Sequence, residues 1–428
     1  MLATELQLSD VPALYRRFAE AIGAEHWERA VAKCEEEIRG NEHLAAYLRS
    51  EYAVAYRLHE LGAILARPGV FEATREFLRS MYPCLSFAAQ VLSLTDSWPE
   101  VHAERLRRRV HGCMRNPNDL RGLRLEYAMA THFIHRGCKV VWPEIEETGE
   151  TFDLLVEGAG MVPLEVECKS IGEDKGRVVT RRDMADFFGL LAPLVAEFVQ
   201  GLETGVACSV KLPGQFPRKL DELKRLANEL AAALKQARYD PLEGGVKLEM
   251  RTFDAGEFTT AMKGGQHVLR SEVDRVTSAE NAQAIAYGTP NGVLVISLQS
   301  DREKPYLERV MDTLADAAKR QLTGRRAGLL VASFEALTGD QMRSTAAQDA
   351  DPTQNPTGLR FRTDALLKSS TRAHVAGVAY LSNAGTQLVE RGLVDATGGV
   401  AYYFPNATST FWDETLRGLF RTNGIGEP

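Results

Sequence analysis

The hydrophobic pattern divides the chain into a helical part and a part in which helices and strands alternate. Within 1–100, apolar positions recur three and four residues apart in four stretches, which are 13–22, 27–39, 42–66 and 70–92. This spacing predicts an α-helical N-terminal region, with a break at Pro68-Gly69 and an end near 94–99. Packing, dimerisation and substrate contact all stay open as its role.

Beyond residue 100 the pattern predicts an α/β domain over 101–428 that includes a C-terminal extension. It opens with a helix over 120–136, closed by Gly137 as its C-cap. Three short strands are predicted next, at 139–142, 151–157 and 162–170. The order is therefore one helix followed by three strands with tight connections.

The rest of the chain alternates in the same way. Further helices are predicted at 184–204, 218–238 and 306–322. Further strands are predicted at 205–212, 245–251, 293–298, 326–332, 374–381 and 400–404. The strand–helix–strand order over 293–332 favours a parallel crossover, and the last two strands are interpreted as an extension of the core. The polar segment 340–358 predicts a long surface loop or a disordered stretch.

One predicted strand carries charged residues on a single face. Because side chains alternate along a strand, Glu165, Glu167 and Lys169 point the same way, at a spacing of about 7 Å. Asp153 lies on the preceding strand, and the glycines of 158–160 suit a hairpin that brings the two strands within about 5 Å. An acid followed by Glu-x-Lys can hold a hard divalent cation and place an amine beside it.

The alternative is a solvated strand face, since Glu and Lys often alternate on exposed strands. For Glu165 this alternative is favoured over a role as an auxiliary acid. Glu126 adds a carboxylate beside the apolar stripe of the helix over 120–136, where it needs a cation or hydrogen bonds, or pairs with a nearby arginine. His132 and His135 are predicted to be structural or exposed, because Glu126 lies about 180° around the helix from His135.

Basic residues gather in two places although the chain is acidic. The first is 104–124, which contains Arg105, Arg107, Arg108, Arg109, Arg115, Arg121 and Arg124 together with His111. The second is the loop over 172–182, which contains Lys175, Arg177, Arg181 and Arg182. Contact with phosphate and pairing with acidic neighbours are equally open for the first group.

Composition narrows the class of protein. The 428 residues are 44% hydrophobic and 25% charged, as in an ordinary globular chain long enough for two or three domains. No run of roughly 18 apolar residues, no signal-peptide pattern and no CxxC pair occurs. We therefore expect a cytoplasmic protein without a membrane partner or a structural zinc site. The formal net charge of −7 means that nucleic-acid binding would depend on local basic patches.

The helix, the strands and their charged residues together resemble the PD-(D/E)xK nuclease superfamily. Glu126 matches that family's helix acid, Asp153 its metal-binding aspartate, and Glu167-Cys168-Lys169 its Glu-x-Lys element. The resemblance implies a restriction-endonuclease-like fold, in which a mixed β-sheet core is flanked by helices. Here it would follow the α-helical N-terminal region.

The likeness has a limited extent and one departure. It covers 120–182, and Phe152 precedes Asp153 where the family motif has proline. Phosphate-binding loops of the G-x-x-x-x-G-K-[ST] type, G-x-S-x-G elbows and H-E-x-x-H helices do not occur in the sequence. The resemblance is thus the one motif that points to a reaction.

What the resemblance implies chemically is a Mg²⁺-dependent nuclease, with Mn²⁺ as a substitute. Asp153 and Glu167 would bind one or two ions, with the main-chain carbonyl of Cys168 as a further ligand. Glu126 would hold a second ion or its water shell. Lys169 would orient or deprotonate the attacking water and stabilise the transition state.

The predicted partner is nucleic acid, with DNA favoured and RNA still open. Defence against foreign DNA is common in the family and is implied here by resemblance alone. Contacts to backbone phosphates, without base readout, are assigned to Arg107, Arg108, Lys175, Arg177, Arg181 and Arg182. The alternative is a catalytically inactive protein of the same fold that binds nucleic acid or another protein. A homo-oligomer and a partner subunit both stay open.

Overall fold

The protein is described by a computed structural model. The described residues are 6–67, 75–263, 266–279, 282–289, 291–303, 305–335, 337–382, 385–389, 393–397 and 400–420. They form two compact units of mixed α/β structure. The first unit contains 1–33, 52–175 and 307–428, and the second contains 34–51 and 176–306. The predicted break at Pro68-Gly69 lies outside the described residues.

The strands are β1 (Leu6–Gln7), β2 (Lys139–Val141), β3 (Leu154–Glu157), β4 (Leu164–Ile171), β5 (Gly205–Leu212), β6 (Lys247–Phe253), β7 (Gln283–Gly288), β8 (Val293–Ser300), β9 (Ala327–Phe334), β10 (Val375–Leu381), β11 (Gly385–Val389), β12 (Leu393–Thr397) and β13 (Ala401–Pro405).

The α-helices are α1 (Val11–Phe18), α2 (Glu25–Gly40), α3 (Ala45–Glu51), α4 (Ala53–Leu65), α5 (Arg75–Ser97), α6 (Glu100–Cys113), α7 (Pro117–His135), α8 (Pro143–Glu146), α9 (Arg181–Gln200), α10 (Leu220–Gln236), α11 (Ala255–Lys263), α12 (Gln266–Thr277), α13 (Tyr306–Arg320), α14 (Gly339–Ala350) and α15 (Gly358–Leu367).

The first unit is built around a mixed sheet, here named the central sheet, whose strand order is β13-β10-β9-β4-β3-β2. The β2–β3, β3–β4 and β10–β13 pairs are antiparallel, whereas β4–β9 and β9–β10 are parallel. The predicted α/β class and the predicted extension of the core by the last strands are confirmed. A small sheet of order β1-β12-β11 also forms among the described residues.

Helix α7 packs against β2, β3 and β4 on one face of the central sheet. Leu164, Val166 and Cys168 turn to that face and join a buried cluster with side chains of α7. The helix ends as predicted: Gly137 has a φ of +81°, and the N–H of Cys138 bonds to the carbonyl of Phe133 at 3.0 Å. The C-terminal glycine signal was therefore correct.

Strand β4 lies between β3 and β9, so both of its edges are paired, and residues 164–168 are buried on both faces. Glu165 and Glu167 are 0% exposed. The solvated-face alternative is therefore wrong for both glutamates. Its error has a physical cause, since β9 comes from a distant part of the sequence and turns a predicted hairpin strand into an interior strand.

The second unit contains a sheet of order β6-β5-β8-β7, in which β5 and β8 are parallel and the outer pairs are antiparallel. Helices α9 and α10 cover one face through a large buried cluster, and α12 packs against β5, β6 and β8. Strands β8 and β9 thus belong to different sheets. The predicted parallel crossover over 293–332 is wrong, because the border between the units falls at the start of α13.

Two further predictions differ from the structure. The polar segment 340–358 contains α14, which begins in a capping box between Thr338 and Gln341 and is held by buried Asp349. The units also follow other boundaries than 1–100 and 101–428, because α1, α4 and α5 share a buried cluster with α6 and α7, whereas α3 belongs to the second unit. Among the described helices, none is both long and apolar enough to cross a membrane.

Candidate functional site

The β3–β4 hairpin brings the predicted acids together. The strands pair Leu154 with Val166 and Leu155 with Glu165, and extending this register by one residue places Asp153 opposite Glu167. The N–H of Asp153 donates to the carbonyl of Val166 at 3.2 Å, so the chain is already in the ladder at this point. The connection turns at Gly158, whose φ of +89° favours glycine.

Asp153 is fixed by the backbone of the opposite strand. The N–H of Cys168 donates to its Oδ2 at 2.7 Å. Burial raises the pKa of Asp153, and the Cys168 N–H, Lys169 and Arg109 oppose the rise. This role of the Cys168 N–H was not predicted, and the contribution of the Cys168 carbonyl to metal binding stays a prediction. Its thiol is buried on the side of α7.

Glu167 is the least satisfied carboxylate of the site. Its Oε1 lies 2.5 Å from the Nζ of Lys169, whereas Oε2 is buried and has no hydrogen-bond partner among the described residues. Burial and the nearby charge of Asp153 raise the pKa of Glu167 to about 8, and Lys169 opposes the rise. A buried carboxylate oxygen without a donor is costly, and a cation would satisfy it.

Glu126 reaches the same region from α7, where it is 4% exposed. Arg109 of α6 donates to both of its oxygens, from Nη1 to Oε2 at 2.9 Å and from Nη2 to Oε1 at 2.7 Å. Burial and the charge of Asp153 raise the pKa of Glu126 to about 8, and Arg109 opposes the rise. The predicted need for a partner is met by an arginine.

Glu165 differs from its prediction. It lies inside the protein, where the N–H of Thr323 donates to Oε2 at 2.7 Å and the Thr323 hydroxyl donates to Oε1. The Nε of Arg326 lies 3.7 Å from Oε1. The role of a solvated strand end is therefore wrong, because the segment before β9 supplies donors that sequence spacing cannot reveal.

Phe152, which replaces the motif's proline, is 2% exposed, and the guanidinium carbon of Arg326 lies 5.7 Å from its ring centroid. His132 bonds through Nε2 to the carbonyl of Leu419 at 2.7 Å, and His135 is exposed. The interpretation of the histidines as structural or exposed is confirmed. The departure at Phe152 thus serves packing under Arg326.

The arrangement of the side chains shows which of them could bind a metal ion. Within the described ranges no group of three or more His, Cys, Asp and Glu side chains is placed to hold one. Glu126 is occupied by Arg109, which leaves Asp153 and Glu167 as the pair facing each other across the hairpin. The unpartnered Oε2 of Glu167 is the feature that fits a hard cation with oxygen ligands.

Most of the residues predicted to contact phosphate form ion pairs with acidic side chains. Ion pairs join Arg107 to Glu100 and Glu104, Arg108 to Glu104 at 3.3 Å, Arg181 to Glu51 at 2.7 Å, and Arg182 to Glu37 at 2.5 Å. For the stretch 104–124, the structure favours the alternative of acidic pairing. The assignment of these residues to nucleic acid stays a prediction.

A different cationic group lies beside the site. Burial lowers the pKa of Lys175, and the charges of Arg309 and Lys169 lower it further. Lys175 forms no ion pair within the part of the chain that the structure describes. Arg309 has a distant acidic neighbour, since its Nη1 lies 4.0 Å from Oδ2 of Asp312. Arg309 was missed because it lies on α13, far away in sequence. Arg177 lies in the second unit near Glu303. Burial raises the pKa of Glu303, and the charge of Arg177 opposes this rise.

Comparisons of the chain with models of known families, with curated proteins and with solved structures find no match. The family assignment therefore depends on the hairpin with Asp153, Glu167 and Lys169, on the helix with Glu126, and on the order of these elements along the chain.

Proposed function

We propose that the protein is a metal-dependent nuclease of the PD-(D/E)xK type, which hydrolyses phosphodiester bonds and has DNA as its favoured substrate. The observation that carries the proposal is the buried Oε2 of Glu167, which has no hydrogen-bond partner in the described part of the chain and lies opposite Asp153 and next to Lys169. The order α7-β2-β3-β4 and the mixed sheet support a restriction-endonuclease-like core. Mg²⁺ is the proposed ion, with Mn²⁺ as a substitute.

The proposed roles of the side chains follow from their charges. Asp153 and Glu167 would hold the ion, which supplies a water of lowered pKa and neutralises charge on the phosphate. Lys169 is tethered to Oε1 of Glu167, so its ammonium group is held beside the ligand pair and orients the attacking water. Lys175 and Arg309 add positive charge where a neighbouring phosphate would lie.

The like charges of the site support the same conclusion. Burial disfavours ionisation of Asp153, Glu126 and Glu167, and the charge of Asp153 raises the pKa of both glutamates. A structural ion pair does not need several carboxylates close together. A hydrolytic metal site does, because the carboxylates that repel one another without the metal ion are the ligands that bind it.

The alternative, an inactive protein of the same fold, is favoured by one observation. The engagement of Glu126 by Arg109 leaves fewer acids for metal than the resemblance implies. Metal binding separates the two hypotheses, because a binding scaffold has no need to bind Mg²⁺ at Asp153 and Glu167.

The test is cleavage of plasmid, linear duplex, single-stranded DNA and RNA in the presence of Mg²⁺ or Mn²⁺. Wild type is compared with Asp153→Asn and Lys169→Met. The matched control is Lys139→Met on edge strand β2, whose side chain is 69% exposed and pairs with Glu157. We expect metal-dependent cutting that both site variants lose and the control keeps. Equal cutting by all four proteins, or none by wild type with either ion, would contradict the proposal.

A further inference from the structure

The relation between Arg109 and Glu126 decides how many ions the site can hold. The guanidinium group donates to both carboxylate oxygens, at 2.7 and 2.9 Å, in the two-pronged geometry that suits arginine. Glu126 is 4% exposed, so water has little access to its oxygens. A metal ion could reach them only by displacing the arginine.

Arg109 is itself held from a second side. Its Nη1 lies 3.1 Å from Oε2 of Glu144 in α8. One turn earlier on α6, Arg105 donates to the carbonyl of Ile145 at 2.7 Å and pairs with Glu147 at 2.8 Å. Two arginines of one helix therefore fasten the α8 segment, and Arg109 keeps its place between Glu126 and Glu144.

The charges around Asp153 agree with this placement. Arg109 acts on Glu126, Glu144 and Asp153, and Lys169 acts on Asp153 and Glu167, so four carboxylates lie around two fixed cations. An arginine keeps its proton in proteins, so its charge cannot be removed to admit another cation. Four carboxylates and two cations leave two negative charges, so one divalent ion balances these side chains and a second would meet net repulsion.

We propose that Arg109 takes the position at Glu126 that the resemblance gives to a second cation, so that the site binds a single divalent ion through Asp153 and Glu167. This inference rests on the proposed function. Arg109 is a positioning residue: it neutralises Glu126 and fixes the wall of the site without touching the substrate. The assignment of Glu126 as a metal ligand is replaced by that of a partner for Arg109.

The test is the stoichiometry and affinity of Mn²⁺ binding to the full chain, measured by calorimetry and by electron paramagnetic resonance. Wild type should bind one ion. Glu126→Gln should also bind one, with an affinity within about threefold, since a non-ligand carboxylate contributes little. Asp153→Asn should lose binding by at least about tenfold, because it removes a ligand charge.

Removal of the arginine should have the opposite effect. Arg109→Met exposes both oxygens of Glu126 to cations, so we expect a second Mn²⁺ site, whereas the exposed control Lys139→Met should keep one. A buried Glu126 without its arginine could prevent Arg109→Met from folding. The double variant Arg109→Met/Glu126→Gln is therefore measured beside it, and it should fold and bind one ion.

The outcomes separate the inference from the function. Two ions on wild type, a tenfold loss of affinity in Glu126→Gln, or one ion on a folded Arg109→Met would overturn the single-ion inference and leave the nuclease proposal standing. Absence of Mn²⁺ binding to wild type would overturn both. If Arg109→Met does not fold, the Glu126→Gln affinity decides.

Discussion

Glu165 and Glu167 stand two residues apart on the same face of β4, and both are completely buried. Around Glu165, Thr323 supplies two donors and Arg326 a positive charge, so both oxygens have partners. Around Glu167, Lys169 satisfies one oxygen and nothing in the described residues satisfies the other. The difference teaches that burial alone does not single out a candidate metal ligand. Glu167 stands out because its unfilled hydrogen-bonding capacity lies next to Asp153 and Lys169.

The largest expected effect comes from exchanging each glutamate for glutamine. Glu167→Gln should reduce metal-dependent cleavage by roughly 10²–10⁴-fold, because a ligand charge beside Lys169 is lost. Glu165→Gln should keep cleavage within a few-fold but lower the free energy of unfolding by about 2 kcal/mol, since one amide group would face donors. Cleavage rates and denaturant unfolding measure both. Equal loss of cleavage in the two variants would remove the distinction between the glutamates.

A second contrast lies in the pH dependence of stability without metal. The pKa of Glu167 is raised from its ordinary value of 4.5 to about 8 in the folded chain, so between these values the folded state binds a proton that the unfolded state has released. The free energy of unfolding should therefore fall as pH rises from about 5 to 8. Glu167→Gln should reduce this dependence, and the part that remains should come from Glu126, whose pKa is also raised to about 8. Added Mg²⁺ should stabilise wild type more at pH 8 than at pH 6. The measurement is denaturant unfolding across this pH range.

The cations next to the site should contribute less than its acids. Lys175→Met and Arg309→Met should each weaken DNA binding by about tenfold at low salt and reduce the salt slope by about one, whatever the sequence of the duplex. Fluorescence anisotropy at several salt concentrations measures both quantities. An unchanged salt slope would show that neither side chain contacts phosphate.

The smallest effect is expected where an arginine already has acidic partners. Arg107 pairs with Glu100 and Glu104 on its own helix, so Arg107→Met should change DNA affinity by less than about twofold. The same anisotropy assay compares it with Lys175→Met. A loss equal to that of Lys175→Met would restore the phosphate contact that the sequence assigned to Arg107.

Local signals in the sequence were sufficient for local structure. The helix ending at Gly137, the hairpin at Gly158 and the alternation that aligns Glu165 with Glu167 all depend on residues close together in the chain. Asp153 opposite Glu167 follows from the same hairpin. These parts of the fold and of the candidate site could be predicted.

Partners far apart in sequence could not. Thr323 and Arg326 satisfy Glu165 from the segment before β9, and Arg309 approaches Lys175 from α13. No spacing rule connects such residues, because their proximity is created by the pairing of β4 with β9. For Glu126 the sequence assigned a metal ion and left a nearby arginine as the alternative. Helix packing placed Arg109 at that carboxylate from among several candidate arginines.

The parallel pairing of β4 with β9 also has a consequence for the order of folding. Residues 172–326 intervene, so the hairpin can form long before its neighbour exists, and closing so large a loop is entropically costly and slow. During synthesis, at ~5–20 residues per second, β4 would wait roughly 10–30 s for β9. A second unit that folds first would shorten this loop. Glu167 would then become buried only when β9 pairs with β4. Metal binding should therefore develop late in refolding.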